Sequence, residues 1–270
     1  MGDAMQFSTL HTHTTFSDGK GTPRENIESA ISKNMASLGF SDHSFTACDT
    51  SYCMMLGDYG RYCDEITALK EEYKDRLPIF LGIECDYYSD IDKSMYDYTI
   101  ASVHYIVKDG ICYPIDHSPK QQEDCIRDAF GGNVLDMAKC YFDMITEHAY
   151  RLRPTFIGHF DVVNKFSLMP EDSEAFRDIT REAMREIVKV CPYFEVNTGG
   201  IARGWRKTPY PNDYLLTLLR ELGGEVLINS DSHHPDNLDF HFSESVGILK
   251  SLGYGHISLL GKDGFYKVAI

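Results

Sequence analysis

The feature of this sequence that most constrains its fold is a regular alternation between short apolar runs and segments of helical periodicity. Within the helical segments, apolar residues recur three or four positions apart on one face, as at Ile66, Leu69 and Tyr73. The apolar runs predict strands at residues 5–10, 38–40, 78–83, 98–103, 155–158, 193–196 and 225–229. About seven strands that alternate with helices indicate a parallel β/α barrel, one strand short of the eight that such barrels usually have.

We expect the alternation to build one domain that spans residues 1–270. No change in composition and no Gly/Ser-rich linker divides the chain. The first helix has a recognisable start at Thr22, with Pro23 at its first position and Glu25 placed to bond back to the cap. Residues 108–132 have weak periodicity, and we predict that they form a loop over the mouth of a pocket.

The charge and the cysteines exclude several classes of protein. A formal net charge of -15 argues against a nucleic-acid surface, because a phosphate backbone requires clustered Lys and Arg. No segment has the apolar length of a membrane span, and residues 1–6 lack the signature of a secretion signal. The eight cysteines, of which Cys48, Cys53 and Cys63 come nearest to a cluster, contain no C-x-x-C pair. We therefore expect a cytoplasmic protein with all of its cysteines reduced.

Polar side chains follow nearly every predicted strand at its C-terminal end, where β/α barrels carry their active sites. His11 and His13 come directly after the first run, and because side chains alternate along an extended backbone, both imidazoles face the same side. Including this pair, the candidate metal ligands are His11, His13, Asp18, His43, Glu84, His104, His159, Asp231 and His233. The convergence of so many polar side chains is costly without a partner, and metal cations supply one.

The composition of this set predicts the kind of metal site. Imidazoles and carboxylates without a thiolate suit zinc, manganese or iron. The set exceeds what one ion takes, so we expect two to three divalent metal ions. Glu84 is the only Glu in the set, which fits a position between two cations.

Six motifs carry a resemblance to a known family. They are His11-Thr-His13-Thr-Thr-Phe-Ser-Asp18-Gly19, Gly39-Phe-Ser-Asp42-His43, Gly82-Ile-Glu84, Ser102-Val-His104, Gly158-His159-Phe-Asp161 and Ser230-Asp231-Ser-His233. In this order the motifs resemble the polymerase and histidinol phosphatase (PHP) family, and within it the histidinol-phosphate phosphatases. Asp18 favours this branch, because many other members of the family have His at that place.

The resemblance implies a distorted (β/α)7 barrel of the PHP type with a trinuclear metal centre. It implies three ligand sets, which are His11, His13, Glu84 and Asp231 for the first metal, Glu84, His104 and His159 for the second, and Asp18, His43 and His233 for the third. Glu84 would bridge the first two metals, and we assign Glu84, Asp231 and His233 to catalysis. We expect Asp42 to orient an imidazole through its other nitrogen, and Asp161 either to do the same or to cap the following helix.

The basic segment Arg203-Gly-Trp205-Arg206-Lys207 is the predicted phosphate-binding site, because Arg presents forked donors that match phosphate oxygens. The sequence does not rank Arg203 against Arg206, and Lys165 is a further candidate. Trp205 and the stretch Tyr113-Pro-Ile-Asp116-His117 are weaker candidates for recognising an imidazole or an amine.

Together these features predict hydrolysis of a small phosphorylated substrate, with histidinol phosphate as the leading substrate. In this hypothesis a water or hydroxide held between two metal ions attacks phosphorus in line, since a cation lowers the pKa of bound water from about 15.7 toward ~7. Two other substrates stay open within the family, a nucleotide or oligonucleotide end and a phosphotyrosine. A non-catalytic metal- or phosphate-binding module is the alternative from a different class, and the presence of all the predicted ligands argues against it.

Overall fold

The central element of the fold is a seven-stranded parallel sheet that curls into a barrel. The computed structural model describes residues 5–270. The strands in this part of the chain are β1 (Ser8–Thr9), β2 (Ser37–Phe40), β3 (Ile79–Asp86), β4 (Tyr98–Ser102), β5 (Tyr105–Lys108), β6 (Ile111–Pro114), β7 (Phe156–Ile157), β8 (Tyr193–Asn197), β9 (Glu225–Asn229), β10 (His256–Gly261) and β11 (Gly264–Ala269). The barrel order is β1-β2-β3-β4-β7-β8-β9 with parallel neighbours throughout, which confirms the predicted (β/α)7 barrel.

The barrel closes beside the first histidine pair. Beyond the ends of β1 and β9, Thr12 and Ser232 form a parallel bridge. The backbone N of His13 donates to Ser232 O at 2.8 Å, and Ser232 N donates to His11 O at 3.2 Å. Backbone pairing therefore holds the two imidazoles of this segment against the segment that follows β9.

Helices connect most of the barrel strands. They are α1 (Pro23–Ser32), α2 (Tyr59–Tyr73), α3 (Pro119–Asp124), α4 (Val134–Leu152), α5 (Glu174–Val188), α6 (Gly199–Ala202), α7 (Asp213–Glu221) and α8 (Phe242–Ser251). The predicted start of α1 is confirmed, because the Thr22 side chain accepts from Glu25 N and Thr22 N donates to Glu25 Oε2 at 2.8 Å. None of the helices within residues 5–270 has the length and apolar content that crossing a membrane requires.

The prediction that residues 108–132 form a loop is wrong. β5 and β6 pair as an antiparallel hairpin whose turn is Asp109-Gly110, with φ values of 52° and 76°. Positive φ at both central residues is typical of a type I′ turn, for which Asp-Gly is a favoured pair. α3 follows, and the Ser118 side chain caps it by accepting from Gln121 N. The hairpin was therefore readable from Asp109-Gly110, which lies between two short apolar runs.

The expectation that all cysteines are reduced is wrong for one pair. Cys48, in the loop between β2 and α2, forms a disulfide with Cys112 on β6. Their Cα atoms lie 5.6 Å apart because the hairpin packs against this loop, where Tyr105 OH also donates to Asp49 Oδ2 at 3.1 Å. A separation of 64 residues leaves no spacing pattern in the sequence that could reveal this pair.

Tyr98, the first residue of β4, places its buried side chain in the interior of the barrel. Its hydroxyl donates to Leu10 O at 2.5 Å, and its ring packs with Leu260 of β10 in one apolar cluster. A Cβ atom at Gly82 would overlap the Tyr98 ring, so this close approach requires glycine. The glycine of the Gly82-Ile-Glu84 motif is therefore explained by packing, two residues before the polar end of β3.

Candidate metal centre

All nine side chains predicted as metal ligands come together at the C-terminal ends of the barrel strands. They form four overlapping groups, and the ligand atoms of each group lie within 4.8 Å of one another. The groups are His13, Asp18, His43 and His233; His11, Glu84 and His159; His11, His13 and Asp231; and His43, Glu84 and His104. Because the groups share members, the nine side chains form one continuous polar cluster, which we call the ligand cluster.

Glu84 on β3 is the centre of the ligand cluster. Its carboxylate is buried, and its two oxygens face different imidazoles. Oε2 lies 2.7 Å from His43 Nδ1 and 3.2 Å from His11 Nε2. Oε1 lies 3.0 Å from His159 Nε2 and 3.4 Å from His104 Nε2. A carboxylate that contacts imidazoles through both oxygens has the geometry to bridge two cations.

Asp231 joins the first histidine pair. Its Oδ1 lies 3.2 Å from His13 Nε2 and 3.7 Å from His11 Nε2. Glu84 Oε2 approaches the same two nitrogens, at 3.6 Å and 3.2 Å. Two imidazoles and two carboxylates therefore face one another, as the first implied ligand set requires.

Asp18 lies on the outer side of the ligand cluster. Its Oδ2 is 3.2 Å from His233 Nε2, and its Oδ1 is 3.7 Å from His43 Nε2. Because His43 contacts Glu84 through its other ring nitrogen, this outer group is joined directly to the central carboxylate.

Several buried polar atoms of the ligand cluster approach one another, yet within residues 5–270 they make no hydrogen bond of acceptable geometry. They are His11 Nε2, both ring nitrogens of His13, Asp18 Oδ1, Glu84 Oε2 and His159 Nδ1. A buried polar group without a partner costs roughly 1–3 kcal/mol, so folded proteins satisfy nearly all of them. Imidazole nitrogens and carboxylate oxygens are the donors that transition-metal cations take. The residues present therefore fit a metal centre.

Glu195 on β8 supports the ligand cluster, and the strand-end pattern does not predict it. Its buried carboxylate accepts from His11 Nδ1 at 2.9 Å and from the backbone N of His159 at 2.6 Å. Asn197 and Asn229 also donate to it, at 2.8 Å and 3.0 Å. The proton of His11 is thereby held on Nδ1, which leaves Nε2 available to a metal.

Asp86 orients His104 in the same way and is a second residue that the pattern missed. His104 Nδ1 lies 3.2 Å from Asp86 Oδ2, which also accepts from the His104 backbone N at 3.0 Å. β3 continues two residues past Glu84, so Glu84 and Asp86 face the same side of the strand.

Asp42 and Asp161 do not have their predicted roles. Asp42 accepts from the backbone N and the hydroxyl of both Thr14 and Ser17, so it holds the loop that precedes Asp18 and contacts no imidazole. Asp161 Oδ2 accepts from Asn212 N at 3.3 Å, and its side chain makes no capping bond. Both carboxylates instead accept hydrogen bonds from backbone N–H groups of segments that lie far away in the sequence.

In the ligand cluster, burial and the neighbouring charges act on each pKa in opposite directions, and for the three groups below the charges outweigh burial. Burial lowers the pKa of His11, but the surrounding carboxylates, Glu195 foremost, raise it well above the ordinary 6.5. Burial likewise lowers the pKa of His104, but the charge of Glu84 and the other neighbouring carboxylates raises this pKa well above 6.5. Burial also raises the pKa of Glu84, but the imidazoles around it, His11 foremost, hold that pKa well below its usual range.

We expect metal binding to the ligand cluster to release protons near neutral pH. Because their pKa values are raised, we expect His11 and His104 to carry a second ring proton near pH 7 in the metal-free protein, whereas a metal takes the neutral imidazole. Apparent metal affinity should therefore rise with pH until these pKa values are passed. Calorimetric titration of metal-free protein with Zn²⁺, in buffers of different ionisation enthalpy, measures the protons released. Zinc uptake at pH 7 without proton release would contradict this expectation.

Arg203 and Lys165 line the same cavity as the ligand cluster. The cavity is open, has a volume of about 450 Å³, and is lined by Asp18, Lys20, His43, Tyr52, His104, Tyr105, Asp116, His117, His159, Val162, Lys165, Arg203, Trp205, Asp231 and His233. Arg203 donates to Asp231 Oδ2 at 2.7 Å, and its guanidinium lies 3.2 Å from His233 Nδ1. The predicted residues His117 and Trp205 also line the cavity, so both can contact a substrate.

Arg206 is engaged outside this cavity. Its guanidinium donates to Asn164 O at 2.8 Å and to Glu171 Oε1 at 3.3 Å, and its side chain is only 7% exposed. It is not among the residues that line the cavity. Arg206 therefore holds the neighbouring segment in place, and Arg203 is the arginine that a substrate can reach.

Comparisons with known proteins agree with the barrel fold. A sequence profile of the PHP domain matches residues 9–199. A probable histidinol-phosphatase of Schizosaccharomyces pombe is 27% identical over 97% of this chain and 85% of its own length. A solved structure of a candidate histidinol phosphatase of Listeria monocytogenes has a TM-score of 0.74 at 23% identity, over 88% of this chain and 99% of that one. Histidinol phosphate phosphatase of Lactococcus lactis, solved with zinc, L-histidinol and phosphate, has a TM-score of 0.66 at 21% identity, over 98% of this chain and 100% of that one.

Proposed function

Because the chain belongs to the PHP-domain family, we propose that it is a metal-dependent phosphomonoester hydrolase whose substrate is L-histidinol phosphate. The reaction consumes water and yields L-histidinol and inorganic phosphate. The observation that carries the proposal is the gathering, around the buried Glu84, of imidazoles and carboxylates, several of whose polar atoms make no hydrogen bond within residues 5–270. The side chains of this site indicate the function, since the barrel fold alone serves many activities.

The ligand cluster would hold two to three divalent ions, which we propose to be zinc, manganese or iron. The proposed ligands are His11, His13, Asp18, His43, Glu84, His104, His159, Asp231 and His233. Such ions supply Lewis acidity to phosphoryl oxygens and make water acidic enough to act as a nucleophile near neutral pH. Glu195 and Asp86 keep the metal-facing nitrogens of His11 and His104 free by accepting from the opposite ring nitrogens.

Arg203 and Lys165 are proposed to bind the phosphate, together with Lys20, which lines the same cavity. Arg203 is already held by Asp231, so it presents its charge with little reorganisation when a phosphate arrives. Asp231 and His233 contact Arg203 and line the cavity. They therefore lie where a bound phosphoryl group would meet the ligand cluster, and we propose that they act in catalysis with Glu84.

The identity of the substrate is supported by the relatives. The S. pombe protein carries the name of a histidinol-phosphatase and aligns with nearly all of this chain. The L. lactis structure, which shares the fold, contains zinc together with the two products of the proposed reaction. The cavity of about 450 Å³ has the size of a small-molecule site.

Phosphate release from the purified, metal-loaded protein tests this proposal. The substrates are histidinol phosphate, a nucleoside bisphosphate, a phosphotyrosine peptide and p-nitrophenyl phosphate, each with and without a chelator. We expect the highest kcat/KM on histidinol phosphate and loss of all release with the chelator. A higher kcat/KM on the nucleotide or the peptide would replace the proposed substrate, and no release from any of the four would refute the hydrolase.

A further inference from the structure

Asp116 is a carboxylate in the active-site cavity that belongs to neither the ligand cluster nor the proposed phosphate-binding residues. Within residues 5–270, three carboxylates line the cavity, and they are Asp18, Asp116 and Asp231. The first and the last belong to the groups of candidate ligands, whereas Asp116 belongs to none of them. It follows β6 in the segment that leads to α3, and its side chain is 23% exposed. Asp116 therefore presents a negative charge to whatever fills the cavity.

Lys165 is the partner of this carboxylate. Its Nζ donates to Asp116 Oδ2 at 3.1 Å, which is the one hydrogen bond of the Asp116 side chain within residues 5–270. The Lys165 side chain is 10% exposed, so the pair lies in a partly dry environment. Burial raises the pKa of Asp116, but the charge of Lys165 foremost lowers it to about 2. At neutral pH the cavity wall therefore carries a negative and a positive charge side by side.

A carboxylate at this place is unfavourable for a substrate that carries only a phosphate. Like charges in a partly buried site repel, and an unpaired Lys165 would attract the phosphate more strongly than a lysine already neutralised by Asp116. The pair instead complements a molecule whose own positive and negative groups are adjacent. Such a molecule can place its cation on Asp116 and its phosphate toward Lys165.

We propose that Asp116 binds an ammonium group that the substrate carries on the carbon next to its phosphate-bearing carbon. The substrate class is then the amino-alkyl phosphates, and Asp116 is the residue that selects them over other phosphomonoesters. This inference rests on the proposed function, because histidinol phosphate has an amine at this position. It goes further, because it assigns recognition of the amine to one residue of this chain.

The competing role for Asp116 is to position Lys165 alone. In that case the loss of Asp116 would lower kcat/KM on all phosphomonoesters alike, since every one of them uses Lys165. If Asp116 binds the ammonium group, its loss should lower kcat/KM only for substrates that carry the amine. The two roles are separated by a pair of substrates that differ only in the amino group.

The experiment compares histidinol phosphate with its deaminated analogue, 3-(imidazol-4-yl)propyl phosphate, on the metal-loaded protein. We expect the wild type to prefer histidinol phosphate by about ten- to a hundredfold in kcat/KM, the range of a charge-assisted hydrogen bond. Asp116→Asn should remove most of this preference by lowering kcat/KM on histidinol phosphate, whereas kcat/KM on the analogue should stay the same or rise, because Lys165 is then no longer neutralised. Asp116→Glu, which keeps the charge, should restore part of the preference.

Asp109→Asn is the matched control, because it removes one negative charge from the adjacent hairpin without touching the cavity. Asp109 is exposed and has a φ of 52°, a conformation that Asn also adopts. The control should keep the wild-type preference. Equal losses on both substrates in Asp116→Asn, or a wild type that hydrolyses both equally well, would overturn the ammonium site and leave the hydrolase standing. If no phosphomonoester is hydrolysed, the proposed function fails and the ammonium site fails with it.

Discussion

Replacing Glu84 with Gln is expected to lower kcat by at least about a hundredfold and to reduce the metal content of the purified protein. The change keeps the shape of the side chain but removes the negative charge that faces imidazoles on both sides. The amide of Gln also brings donor hydrogens toward positions where cations would bind. Loss of a shared ligand should therefore disturb two metal positions at once.

The Glu84→Gln experiment needs three measurements on each protein: kcat on histidinol phosphate, metal content, and circular dichroism to verify the fold. Glu182→Gln is the matched control, because Glu182 is an exposed residue of α5 and is not among the residues that line the cavity. The control should behave as wild type in all three. A Glu84→Gln protein with wild-type kinetics and full metal content would mean that Glu84 does not bridge the metals.

Replacing Arg203 with Ala is expected to lower kcat/KM on phosphomonoesters by about ten- to a hundredfold, the effect of removing a contact worth roughly 1.5–3 kcal/mol. Arg203 lines the cavity and is held in place by Asp231, whereas Arg206 is committed to Asn164 and Glu171. Inhibition by inorganic phosphate should weaken in the same variant, because the product uses the same contact. Metal content should be retained, since Arg203 is not a candidate ligand.

The control for Arg203→Ala is Lys207→Ala, which removes a positive charge from the same basic segment. Lys207 is exposed and does not line the cavity. Substrate saturation and phosphate inhibition should both match wild type in this control. If Arg203→Ala also matches wild type on both curves, Arg203 does not bind the phosphate and Lys165 becomes the leading residue for that role.

Most of the barrel could be predicted from the sequence because its signals are local. Ile66, Leu69 and Tyr73 mark the buried face of α2 by spacing alone, and all three are buried in the structure. Each predicted strand overlaps a barrel strand, so the polar residues after the strands could be placed at one end of the barrel. Convergence of the nine candidate ligands follows directly from that placement.

The roles of Glu195 and Asp86 were not predicted from the sequence, because they depend on which side of a strand faces the inside of the barrel. Glu195 lies within β8, two residues before the polar end that the pattern marks, and Asp86 lies two residues after Glu84. Both belong to pairs with a spacing of two, like His11 and His13, and such pairs share one face of a strand. A search for this spacing would have found Glu195 with Asn197 and Glu84 with Asp86.

Features that depend on long-range packing could not be found in this way. Arg203 and Arg206 are equivalent in sequence, and only the positions of Asp231 and Glu171 separate their roles. The disulfide between Cys48 and Cys112 depends on the hairpin meeting a distant loop. The pairing of Asp116 with Lys165 likewise joins two segments that lie far apart in the chain.

The most direct test of the account is a titration of the metal-free protein with Zn²⁺ or Mn²⁺ while phosphate release from histidinol phosphate is measured. The ligand cluster offers nine side chains in overlapping groups, so activity should depend on more than one ion per chain. We predict no release before metal is added and a rise that levels off at about two to three equivalents per chain. Full activity of the metal-free protein, or release that is unaffected by added metal, would contradict the central claim that this cluster is a metal-dependent phosphatase site.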